Sequence, residues 1–159
     1  MQTILRLFPL RVILITSIFL LLTLDVLSFY GIYTNTFYFL KFDNYIFPVL
    51  SIVHFIYLYS IWFKIKVNEP GDLQMKNVEY ILYFIYLIYI FKFIESIYKL
   101  ATYTDFEDHF IPETFIPIGV TLVVLYFLLL VITVITFFFR LNKISSYNFD
   151  DINNHSDHW

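Results

Sequence analysis

The chain has no cysteine, three glycines and little charge, with 14% of its 159 residues being Asp, Glu, Lys or Arg. The absence of cysteine removes thiolate metal chemistry and leaves the redox compartment unreadable. Three glycines are too few for the common phosphate-cradling loops. So little charge excludes an ordinary water-soluble domain, whose surface needs more. No basic patch with interleaved aromatics is present, which argues against a nucleic-acid partner. There is also no nucleophile–base constellation, no recognisable pair of catalytic carboxylates and no cofactor fingerprint.

What is present is apolar: 60% of the residues are hydrophobic and the mean hydropathy is +0.74. Phe, Tyr, Ile and Asn share AT-rich codons, so the aromatic content is not itself a functional signal. Four long apolar stretches, at about 12–30, 45–63, 78–100 and 114–139, are long enough to cross a bilayer. The basic start at Arg6 and Arg11 resembles a signal peptide. The run from Val12 to Tyr30 is too long for one, and no small-x-small cleavage site follows it. It is read as the first span.

The connections carry turn chemistry. Residues 31–44 form a short aromatic segment suited to an interface. Asp43 or Asn44 is expected to cap the second span, with Pro48 in its first turn. Glu69-Pro70-Gly71-Asp72 marks the middle turn, and Pro117 falls in the opening turn of the fourth span. The short connections predict an all-α, integral membrane four-helix up-down bundle over residues 1–143, with a polar tail at 144–159. Lys and Arg set the orientation. One side holds Arg6, Arg11, Lys64, Lys66, Lys76, Arg140 and Lys143, and the other only Lys41 and Lys99. Both termini are therefore expected on the inner, cytoplasmic side of a bacterial or organellar inner membrane.

The candidate site is a buried charge layer of Asp25, His54, Lys92 and Glu95. Charge within an apolar span is costly and marks a functional or partner site. At about 1.5 Å per residue, Asp25 lies about 20 Å into its span, Lys92 about 21 Å and Glu95 about 25 Å. His54 lies about 14 Å from the outer edge of the second span, near the midplane. Helical side chains lean towards the helix N-terminus, so all four can converge on one layer. Lys92, Glu95 and Lys99 share one helical face, with Glu95 four residues before Lys99.

Three arrangements remain open: pairing within the third span, an Asp25–Lys92 pair between spans, or a water-accessible path. His54 is expected to hydrogen-bond Ser51, Tyr57 or a facing Tyr. A haem would need a second His at similar depth, and the spans hold no other.

Outside the spans, Asp105, Glu107, Asp108, His109 and Glu113 lack the spacing of a calcium loop and read as a solvated acidic loop. His155, Asp157 and His158 sit on a terminus that does not preorganise a metal, so no metal and no cofactor is expected. Phe149, Ile152 and Trp159 fall on one helical face and are candidate partner contacts. The expected partners are the lipid bilayer and either further copies of the chain or a membrane complex.

By subtraction, the expected function is non-enzymatic: a small integral membrane protein that assembles with itself or serves as an accessory subunit. The alternatives are an oligomeric ion channel or small-solute carrier lined by the charge layer, and a membrane enzyme acting on lipid or quinone.

Overall fold

The computed structural model describes residues 9–103 and 111–144. Four helices dominate these residues: α1 (Leu10–Ser28), α2 (Ile46–Val67), α3 (Leu73–Ala101) and α4 (Phe115–Lys143). All four are long and apolar enough to span a membrane, which fits a multi-pass membrane protein. At about 1.5 Å per residue, α3 and α4 exceed the roughly 30 Å hydrocarbon core, so their ends reach the headgroup layers.

Each helix buries one stripe at spacings of three and four residues. On α1 the stripe is Ile13, Ser17, Leu20, Leu21 and Leu24. On α2 it runs Phe47, Ser51, His54, Tyr57, Leu58 and Ile61. On α3 it is Met75, Glu79, Leu82, Ile85 and Tyr89. The spacing follows from 3.6 residues per turn, which keeps such positions on one face. The opposite faces carry large exposed apolar side chains, among them Phe19, Ile52, Phe84 and Phe127. In water such surface would be a liability, whereas against acyl chains it needs no cover.

The helices pack chiefly in a ring, α1 on α2, α2 on α3, α3 on α4 and α4 on α1. Helices α1 and α3 therefore stand diagonally. Between them the core is filled by Leu21, Leu24, Leu82, Ile85 and Leu129, none more than 1% exposed.

The helix ends differ from the sequence expectations. Helix α2 continues through Lys64 and Lys66 to Val67 and stops where Asn68 turns left-handed, at φ 58°. Asn tolerates that conformation better than most residues, so it ends the helix without glycine. Helix α3 begins at Leu73, so Lys76 lies inside the helix and not in the turn. Neither Asp43 nor Asn44 caps α2: they belong to a 3-10 turn, Phe42–Tyr45, and the Asn44 amide donates to the Tyr38 carbonyl at 2.9 Å.

The α1–α2 connection holds a two-residue antiparallel ladder, Tyr30–Gly31 (β1) against Thr36–Phe37 (β2). A Cβ at Gly31 would lie 2.5 Å from the Tyr38 ring and 2.7 Å from the Thr34 hydroxyl, so a larger residue there would have to displace both side chains.

Asp72 is the cap of α3. Its carboxylate accepts from the Met75 N–H at 2.8 Å and meets the Lys64 ammonium at 3.0 Å, while Lys64 also reaches Glu69 at 3.1 Å. Partial burial opposes ionisation, but the Met75 N–H and Lys64 outweigh it and hold the Asp72 carboxyl below its ordinary value. Its stabilisation is therefore complete above the unfolded-state pKa of about 3.9 and is lost as pH falls through the lower folded value. Asp72→Ala is expected to cost about 0.5–2 kcal/mol near neutral pH. Asp72→Asn, which keeps a cap acceptor but loses the charge, should cost less. Thermal melts from pH 7 to pH 3 should show the gap between wild type and Asp72→Asn closing below about pH 4. A gap that does not change with pH would mean that the charge contributes nothing.

Candidate functional site

The last turns of α1 and α3, the first turns of α2 and α4, and the α1–α2 connection surround a cleft of about 640 Å³. Tyr30, Tyr33 and Tyr38 of the connection form one wall. Lys92, Glu95, Ser96 and Lys99 of α3 form the facing wall, with Phe47, Phe115 and Tyr126 also lining the space. Gly119 keeps α4 close to α3 here, since a Cβ would come within 3.1 Å of Leu100 Cδ1.

The polar wall is an ion triplet on a single helix. Glu95 Oε2 lies 2.8 Å from Lys92 Nζ, and Glu95 Oε1 lies 2.6 Å from Lys99 Nζ. Spacings of three and four residues bring all three side chains together on one helical face. Each carboxylate oxygen serves one ammonium, so each lysine keeps donors to spare. The triplet carries a net charge of plus one and is half-exposed.

Asp25 does not pair with Lys92. Its Oδ1 accepts from the Ser51 hydroxyl at 2.6 Å, across the direct α1–α2 contact. The ring order accounts for this: α1 packs on α2 and α4 and stands diagonally from α3, so its polar partner comes from α2. Lys92 therefore finds its counterion on its own helix.

His54 is fully buried. Its Nδ1 lies 3.3 Å from the Tyr89 hydroxyl of α3, and the two rings stack at 5.9 Å. Tyr89 also packs on Phe47, ring centres 5.6 Å apart. The expected facing tyrosine is thus Tyr89. Of the four residues in the charge layer, the structure joins Lys92 to Glu95, and it gives Asp25 and His54 separate partners on neighbouring helices.

A second buried charge pair escaped the sequence reading. Glu79 near the start of α3 and Arg140 near the end of α4 are 4% and 5% exposed, with Glu79 Oε2 3.1 Å from Arg140 Nε. The Tyr83 hydroxyl donates to Glu79 Oε1 at 2.5 Å, and the Tyr83 ring packs on Phe137 at 4.7 Å. Arg140 reads as a flanking, orienting charge when only its place at a span end is considered. The available signal was a Glu just inside one span and an Arg at the end of the next, which antiparallel neighbours bring to one level.

The tail contacts Phe149, Ile152 and Trp159, most of the acidic loop, and His155, Asp157 and His158 lie outside the described residues. Among the described residues, no three His, Cys, Asp or Glu side chains gather as a metal site. Comparison with protein-family models, with curated proteins and with solved structures found no match.

Proposed function

We propose that this chain is a non-enzymatic integral membrane protein of up-down topology that works by assembly, with copies of itself or as an accessory subunit of a larger membrane complex. The observation that carries this reading is how the polar groups of the spans are used. Asp25 binds Ser51, Lys92 and Lys99 bind Glu95, and Glu79 binds Arg140 and Tyr83. The Asp25–Ser51 and Glu79–Arg140 contacts join neighbouring helices, the lysines are matched within α3, and the space between the helices is filled mainly by aliphatic and aromatic side chains. A conducting path needs polar groups facing a column of water. The channel or carrier reading, lined by Asp25, His54, Lys92 and Glu95, has one feature in its favour: Lys92 and Glu95 open onto the cleft. His54, fully buried on the next layer, does not extend that opening.

With both termini and the α2–α3 turn on the inner side of a bacterial or organellar inner membrane, single cysteines are straightforward reporters in this Cys-free chain. Gln74→Cys should label from the inner side and Lys41→Cys from the outer. Labelling of both from one side would overturn the topology. Function is tested by purification from native membranes beside ion flux in liposomes. A stable oligomer or a co-purifying membrane partner, with flux no higher than in empty vesicles, is the expected result. Flux above that of empty vesicles, from an oligomer or a monomer, would replace this reading with the channel or carrier.

A further inference from the structure

The cleft offers more than an assembly surface requires. Two ammonium groups, Lys92 and Lys99, sit on one wall and share a single carboxylate. Glu95 neutralises one of them and leaves a net positive charge in a space of about 640 Å³, large enough for a polar headgroup and much larger than a few waters. Lys41 and Asp43, also at the cleft, are 4.0 Å apart and cancel one another at the rim. The remaining charge therefore lies on the α3 wall.

Position adds to charge. The cleft lies towards one end of the bundle, with Lys99 in the last turn of α3, an end that a membrane-spanning α3 would carry into the headgroup layer, and aromatic rings line its other walls. Tyr and Phe favour that layer because they present an apolar body with or without a polar tip. An anion that accepts from both lysines would balance the remaining positive charge with charge-assisted hydrogen bonds. The two ammonium groups flank a single carboxylate, at 2.8 Å and 2.6 Å from its two oxygens, so an anion with oxygens at similar spacing can meet both. A phosphate suits this better than a carboxylate, because it has an oxygen for each lysine and a further one for solvent.

We propose that the cleft binds a phosphate-bearing group through Lys92 and Lys99, with the Glu95 carboxylate as the internal anion that it competes with. The phosphate can belong to a lipid headgroup or to a soluble phosphoester, and the two sources are separable. The full chain in uncharged detergent is challenged with short-chain phosphatidic acid, with the matching uncharged diacylglycerol, and with glycerol 3-phosphate. Bound equivalents are read by native mass spectrometry and by the shift in melting temperature.

One equivalent of phosphatidic acid retained well above diacylglycerol is the expected result. Retention of glycerol 3-phosphate as well would assign the site to soluble phosphoesters, and retention of phosphatidic acid alone to lipid. The double change Lys92→Gln with Lys99→Gln should weaken retention by at least about tenfold. Glu95→Gln removes the competing carboxylate and should strengthen retention, an outcome that a merely structural triplet would not produce. Equal retention of the charged and uncharged lipids would overturn the proposal. So would unchanged retention in the double variant, or a loss of retention in a folded Glu95→Gln chain.

Discussion

Replacing Glu79 with leucine is expected to destabilise the bundle by about 3–5 kcal/mol, the usual cost of removing one member of a buried ion pair. The Arg140 guanidinium, 5% exposed, would then lose the Glu79 carboxylate 3.1 Å from its Nε. Arg140→Met should be similarly harmful, because the buried Glu79 carboxylate, which accepts from the Tyr83 hydroxyl, would lose the guanidinium beside it. The double change, Glu79→Leu with Arg140→Met, removes both charges and keeps most of the volume. It should recover much of the loss, since well-packed apolar replacements of a buried pair are often neutral or better. The measurement is thermal unfolding in detergent of both single variants and the double, with the coupling taken from the cycle. Arg140 lies three residues from the end of α4, so the competing outcome is that its long side chain swings to the headgroups. Glu79→Leu would then be nearly harmless and the single effects would add, and the pair would have no structural role.

Tyr89→Ala should cost about 3–5 kcal/mol, the range for deleting a buried aromatic ring. Tyr89 is fully buried, stacks on His54 and packs on Phe47. Within a membrane bundle most of this loss is close packing, since lipid tails are as apolar as the core. Tyr89→Phe isolates the hydroxyl. It leaves the ring in place and deprives His54 Nδ1 of its partner, for an expected cost of about 1–3 kcal/mol. At 3.3 Å the bond is longer than the usual range, so the ring should outweigh the hydroxyl. Melting temperatures of the two variants decide the matter. If Tyr89→Phe proves as harmful as Tyr89→Ala, the polar contact dominates the layer. If it is neutral, His54 and Tyr89 meet only as rings.

Much of this architecture was legible from composition and run length. Four apolar stretches separated by Pro, Gly and charge specify four spans, because lipid allows no unsatisfied backbone and a helix satisfies its own. The triplet of Lys92, Glu95 and Lys99 was also legible, since it depends only on helical spacing along one segment. The exact helix ends were less so: Asn68 and Asp72 place the turn between α2 and α3 several residues from where hydropathy alone suggests. Hydropathy changes gradually at a membrane surface, whereas a cap or a left-handed residue stops a helix at one position.

The buried stripe on each helix was the least visible feature. These helices are apolar all round, so periodicity barely separates the face that meets protein from the face that meets lipid. The small and polar residues Ser17, Ser51, Thr133 and Thr136 do mark the buried side. They can be recognised as markers only once it is known which helices are neighbours. That order was decided by tertiary structure alone. Placing α1 beside α2 and α4, and across from α3, gives Asp25 to Ser51, Glu79 to Arg140 and His54 to Tyr89. A single sequence states what each helix carries and how deep. It does not state around which axis each helix turns, because that rotation is set by packing between segments far apart in the chain.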